Sequence, residues 1–366
     1  MTGIDRATLD RILPPTPAPA DWDDVIDRAG VRKRGRPRHL VAVVVAALVV
    51  VGTASALGAA RVLFWNPRET PKVAYLHDGG LYVVSADGGK PLQLARDARC
   101  CATWSPDEGR IAYTTERGGI WIVRVDGTGR RRLVGDARSP AWSPDGRRLA
   151  YSGAGGIFVV GVDGRRPRKL VGDAAAPRWS PDGQHILFTR GGDLWVVGVN
   201  GTPVRNLTGT PDDEEAGAQW SPDGRTILFA RSFRETATRV TNEIYLTNAQ
   251  GTWERRLTSD DVFDGHPSWA PDGQQIVFAC GRVNAHVCVM YSDGTGRRDL
   301  GVPARHDAPV AWSADGTKIA YTASDGSGVE VLNADGSGRH RVDGVPAGAV
   351  FVAWETGPRG YLKTCC

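Results

Sequence analysis

The sequence predicts an all-β protein: a seven-bladed β-propeller preceded by one transmembrane helix. Three observations carry this. A Trp-centred motif recurs in tandem, with Trp104, Trp142, Trp179, Trp220, Trp269, Trp312 and Trp354 spaced 37 to 49 residues apart. Turn formers are dense, with 46 Gly and 23 Pro in 366 residues and no collagen-like period, which suits many short strands and not a helical bundle. Upstream of the repeats, Leu40 to Ala60 carries no charge, and as a helix rising about 1.5 Å per residue it is long enough to span a bilayer.

The N-terminal region comes first in the chain. Arg32, Lys33, Arg34, Arg36 and Arg38 stand just before the apolar run, and only Arg61 lies close behind it. The positive-inside rule then places the N-terminus in the cytoplasm and the rest of the chain outside, as a single-pass protein of the cell membrane. The domain reading is a cytoplasmic tail with a basic collar over 1–38, a transmembrane helix over 39–60, a linker over 61–71 and the propeller over 72–366. Ala54-Ser55-Ala56 resembles a cleavage site and keeps a signal peptide as the rival reading. Against that rival, the segment before the apolar run is longer than a usual signal n-region.

Each repeat reads as four strands. WSPDEG follows the pattern at Trp104, WSPDG at Trp142, Trp179 and Trp220, WAPDG at Trp269 and WSADG at Trp312. Nine residues after each of these Trp stands an aromatic closing an apolar run: Tyr113, Tyr151, Phe188, Phe229, Phe278 and Tyr321. A second apolar run follows, such as Ile120 to Val123, and then a hairpin turn, Asp-Gly or Asn-Gly at Asp126, Asp163, Asn200, Asp293 and Asp335. Such pairs adopt the positive φ that two-residue hairpins need. A last short strand ends near Leu133, Leu170, Leu207, Leu257 or Leu300. Four short strands in about 40 residues make one propeller blade.

This pattern resembles the repeats of TolB-like propellers, relatives of the WD repeats, over roughly residues 72–356. Lys72 to Leu94 is a repeat without its first strand, and Val350 to Trp354 is a first strand without its repeat. Together they complete a seventh blade and close the ring; six blades is the minority count. The resemblance implies contact with other proteins of the cell envelope, without naming the partner.

Spacing separates the two faces of the disc. The Trp-to-aromatic interval is constant, as is the interval from the hairpin turn to the terminal Leu or Val, so one face is regular. The loops between second and third strands, and those leading into each next Trp, vary in length. Strand alternation puts both variable kinds on the opposite face, where a rigid scaffold would present binding loops. Arg130 to Arg132, Arg165, Arg166, Arg255, Arg256, Arg297, Arg298 and Arg339 follow the hairpin turns of the regular face, and a headgroup-facing ring is one reading of them.

The candidate binding residues are the polar ones of the variable loops: Asp212, Asp213, Glu214 and Glu215 before blade 5, Arg234 within it, Asp264 and His266 entering blade 6, His286 inside blade 6 and His306 entering blade 7. No fixed ligand spacing supports a metal among these histidines, and no cofactor is expected. The Asp of each WSPDG recurs in every full repeat and reads as a turn cap, not as a catalyst. Cys280 and Cys288 fall on neighbouring strands and suggest a disulfide across the hairpin, and Cys100-Cys101 with Cys365-Cys366 allow a latch on the ring.

The search for catalytic motifs is negative: there is no Gly-x-Ser-x-Gly elbow, Walker loop or Cys-x-x-Cys pattern. A net charge of +4 is too small for this length to indicate a nucleic-acid binder. The function expected is a non-catalytic protein- or ligand-binding scaffold of the cell envelope. The alternative is a propeller enzyme of the lactonase or lyase type with a metal in its central channel.

Overall fold

The computed structural model describes residues 70–354, apart from 211–212, 235–239, 261 and 282–284. These belong to the second of two units into which the chain divides, Leu63–Cys366. Among the described residues no helix is long and apolar enough to cross a membrane. The anticipated transmembrane segment, 39–60, lies outside them.

The described residues form seven four-stranded antiparallel sheets, the seven blades expected. Six blades are continuous in sequence, with first strands Ala98–Trp104, Arg138–Trp142, Ala175–Trp179, Glu214–Trp220, Phe263–Trp269 and Ala311–Trp312 in blades 2 to 7. In blade 1, Val350–Trp354 pairs antiparallel with Lys72–His77, so that Trp354 faces Val73. The ring is therefore closed by hydrogen bonds between its two ends. Each first strand lies against the first strand of the next blade all the way round, which puts the first strands about the axis and the fourth strands on the perimeter.

The apolar runs explain why these sheets stack. Ile111 and Tyr113 pack with Leu81, Val83 and Val352 of blade 1, whereas the intervening Ala112 packs with Trp142, Leu149 and Tyr151 of blade 3. Both faces of each blade are buried, so its strands read as continuous apolar runs and not as an alternation with polar residues. The core is correspondingly divided into seven clusters, one in each interface between neighbouring blades. Every motif Trp sits in the cluster it shares with the preceding blade. Trp142 Nε1 donates to the Thr103 carbonyl at 3.1 Å, Trp179 Nε1 to Ala141 at 3.1 Å and Trp354 Nε1 to Ala311 at 2.8 Å. The acceptor is in each case the residue before the neighbouring blade's Trp.

Candidate functional site

The regular face is consumed by its own turns. In WSPDG the Ser hydroxyl donates to the Asp carboxylate, which also accepts a backbone N–H two residues on; Ser143, Asp145 and Arg147 show the pattern at 2.5 and 3.0 Å. Burial pushes the Asp145 carboxyl up, but the Ser143 hydroxyl, the Arg147 N–H and nearby Arg charges outweigh it and hold the group below its ordinary value. Asp107, Asp182, Asp223 and Asp315 behave alike. These are turn caps, as the recurrence implies. In blades 3 to 7 the closing Gly of the motif, from Gly146 to Gly316, has φ of +66° to +73°, a conformation glycine adopts without steric cost. A Cβ there would meet the proline ring of the preceding blade's motif at 3.4–3.7 Å.

The arginines after the hairpin turns are also largely committed. Arg131 donates to the Val162 carbonyl, Arg168 to Val199 and Asn200, and Arg255 to Asp293, each time across to the next blade. Arg130 reaches back over its own blade. It lies 4.1 Å above the Trp121 ring, bonds the Tyr113 hydroxyl at 2.6 Å and pairs with Asp97. A cation stands over the ring at this position in each of blades 2 to 5, the others being Lys169 over Phe158, Arg190 over Trp195 and Arg231 over Tyr245.

On the variable face, the first strands carry a feature that spacing did not reveal. Three residues before the motif Trp, the backbone turns left-handed in five blades: Cys101, Ser139, Ala176, Gly217 and His266 have φ of 50° to 65°. The pairing register shifts around each of these residues, as in a β-bulge. Four of the five are not glycine, so no residue type marked the position. Such bulges bend a strand and re-aim its side chains.

Beside the bulges of blades 3 and 4 lies a cleft of about 720 Å³, floored by small and hydroxyl-bearing residues such as Ser139, Ser152, Gly153 and Ala176. Four charged side chains line it: Arg99, Glu116, Asp136 and Arg138. Among the described residues none of the four is in an ion pair. The Thr114 hydroxyl in the same lining is buried and has no hydrogen-bond partner among the described residues. A second cleft of about 380 Å³ continues over blades 4 and 5, sharing Ala175 and Thr189, and is lined by Asp173, Arg190, Glu214 and Glu215.

The residues expected to form a site have diverse fates. Glu214 is exposed at the second cleft. Glu215 is buried, accepting Arg231 Nε at 2.7 Å and the Thr210 hydroxyl at 2.7 Å; Arg231 also forms a bidentate pair with Glu254 at 2.6 Å. Burial pushes the Glu215 carboxyl up against the pull of these partners. Asp264 is fully buried and held by Arg297 at 2.9 Å. Its carboxyl is pushed up to about 7, chiefly by burial, with Arg297 opposing and Asp260 adding to the rise. Glu243, Asp260 and Asp264 bring carboxylate oxygens within 4.8 Å of one another, but Arg256 and Arg297 already pair with them. Asp213 borders the loop into blade 5, whereas Asp212 and the Arg234 side chain lie outside what the structure describes.

The histidines do not assemble. His266 occupies the bulge of blade 6, His286 Nδ1 pairs with Asp299 at 2.8 Å, and His306 is exposed in the connection to blade 7. Among the described residues neither cluster with metal-ligand spacing contains a histidine. Cys280 and Cys288 form the expected disulfide, with Cα atoms 5.9 Å apart on paired strands. Cys101 is disulfide-bonded, while the Cys100 side chain and Cys365 and Cys366 lie outside what is described.

Residues 59–242, just over half of the chain, match the family model described as the TolB beta propeller domain. The Tol-Pal system protein TolB of Anaeromyxobacter dehalogenans strain 2CP-C is 32% identical over 137 residues, 33% of this chain and 31% of that protein. The matching segment thus spans about a third of the curated relative's length. Among solved structures, a protein assigned as TolB from Agrobacterium tumefaciens superposes with a TM-score of 0.51 at 20% identity, covering 68% of this chain and 95% of its own. An oligogalacturonate lyase in complex with manganese superposes with a TM-score of 0.57 at 12% identity, covering 75% and 86%. At such identities the structural likenesses establish the fold alone.

Proposed function

The chain belongs to the TolB beta propeller domain family, and on that premise we propose that it is a membrane-anchored, extracytoplasmic scaffold that binds another protein of the cell envelope and catalyses nothing. The observation that carries this reading is the asymmetry of the disc. On the regular face, caps, proline–glycine contacts and cross-blade arginines satisfy many of the polar groups internally, and the cleft there, beside Arg298 and Asp335, is smaller at about 500 Å³. The variable face holds a polar cleft whose four charged side chains have no ion-pair partner among the described residues. Unpaired charges around a concave surface supply steering and specificity for an incoming partner. The matched relative is named for the Tol-Pal system, which supports an envelope protein as the class of partner. The basic collar before Leu40 and the apolar run that follows support the anchor and the orientation.

Catalysis by a metal in the channel finds less support, because the described carboxylate cluster is already neutralised by arginines. The test is photo-crosslinking in the native cells. A photoreactive residue replacing Glu116 or His306 on the variable face should yield adducts with an envelope protein. The same residue at Asp163 or Asp335, in hairpin turns of the regular face, should not. Absence of adducts from the variable face, or equal adducts from both faces, refutes the reading.

A further inference from the structure

Two clefts of the variable face are contiguous and differ in charge: the first balances Arg99 and Arg138 against Glu116 and Asp136, and the second has an excess of carboxylates. The first carries Arg99 and Arg138 on first strands beside the axis. The second, sharing Ala175 and Thr189 with it, presents the exposed Asp173 and Glu214 beside Arg190, while Glu215 is taken up by Arg231. We propose that this groove binds an extended peptide segment of a partner protein, with carboxylate side chains at Arg99 and Arg138 and a basic side chain at Asp173 and Glu214. The inference rests on the binding-scaffold reading and adds the location, chemical class and direction of the ligand.

Three features select a peptide. The floor residues Ser139, Gly153, Ala154, Gly155, Ala175 and Ala176 are small, so a backbone can lie close against them. The Ser139 and Ser152 hydroxyls lie in the lining, and Ser152 Oγ, which accepts the Ala176 N–H at 3.1 Å, keeps its own O–H to donate to a carbonyl of an extended chain. The lining contains no Trp, Tyr or Phe, and aromatic platforms are the usual means of stacking nucleobases. A polyanionic glycan is disfavoured by charge. Glu116 and Asp136 flank the arginines on loops farther from the axis, and Asp173 and Glu214 follow along the groove. A ligand with a repeating negative charge would set carboxylates against all four, whereas a mixed-charge peptide would not.

The experiment is selection of phage-displayed random dodecapeptides on the full-length protein, followed by fluorescence anisotropy with the enriched peptides. Enrichment of sequences with an acidic half and a basic half is expected. Arg99→Glu combined with Arg138→Glu should weaken their binding at least about tenfold, since each charge-assisted contact to a carboxylate is lost. Replacing the peptide's acidic residues by Lys should restore binding to that variant. Arg165→Glu with Arg166→Glu, on the regular face, should leave binding unchanged and controls for net charge. Failure to enrich any peptide, equal binding by the Arg99/Arg138 variant, or displacement of the peptides by a polyuronate oligosaccharide overturns the proposal. If crosslinks from Glu116 persist while the peptide results fail, the scaffold reading stands and only this assignment of the groove falls.

Discussion

Removing the Arg231 guanidinium should expose how much of blade 5 depends on a buried charge set. Arg231 is 5% exposed. It links the Glu215 carboxylate, whose side chain is wholly buried, to Glu254, and it lies over the rings of Phe229 and Tyr245. Arg231→Ala leaves Glu215 with only the Thr208 and Thr210 hydroxyls. Breaking a buried ion pair from one side costs about 3–5 kcal/mol. At about 2–4 °C per kcal/mol, the range for domains somewhat smaller than this one, Tm should fall by at most roughly 6–20 °C. Guanidinium unfolding followed by tryptophan fluorescence should show a lower midpoint with an unchanged slope. Replacing the pair together, Arg231→Met with Glu215→Gln, should recover much of the loss, because the stranded charge is then absent. A loss below about 1 kcal/mol for Arg231→Ala would refute the claim that Glu215 serves the fold before any ligand.

Asp264 predicts a pH dependence. Its carboxyl rises from 3.8 to about 7 on burial, so the folded state holds a proton that the unfolded chain releases. The resulting stability, on the order of a few kcal/mol, is fully present below about pH 4 and lost as pH rises through about 7. Asp264→Asn should flatten the Tm profile across that window, and an unchanged profile would reject the assignment. Trp142→Phe strands the Thr103 carbonyl, whereas the Trp220 indole N–H has no such partner among the described residues. By denaturant unfolding, Trp142→Phe should therefore cost about 1 kcal/mol more than Trp220→Phe; equal costs would contradict the role of that bond. Ala176 has φ of 52°, so Ala176→Gly should be neutral or stabilising by up to about 1 kcal/mol. A clear destabilisation in the same assay would show that the bulge carries no strain.

The fold was legible because a propeller repeats its instructions. Trp104 pairs with Ile111 and Trp142 with Leu149, so a constant interval in sequence is a constant hairpin in space. The partition into a regular and a variable face followed from the same intervals. The site was legible only in part. Glu214 reached a cleft, but Glu215 and Asp264 were drawn inside, because Arg231 and Arg297 wait within their blades. Those arginines lie 16 and 33 residues along the chain from their partners, and intervals measured along one strand path do not report pairings across it.

From its sequence alone, this protein is a seven-bladed ring closed by Val350 to Trp354, with Cys280 bonded to Cys288 and turns capped by the motif Asp. Each of these depends on local chemistry repeated at fixed spacing: a hairpin register, a capping carboxylate, an apolar run covered on both sides. The tertiary structure decided which charges are free. Whether an arginine on the rim pairs with a carbonyl of the next blade, as Arg131 does with Val162, or lines a cleft with no ion pair among the described residues, as Arg138 does, depends on neighbours brought together by the curvature of the ring. A solvated charge and a neutralised one are the same letter in a sequence. Only the packing of adjacent blades sets the dielectric and the partner that tell them apart.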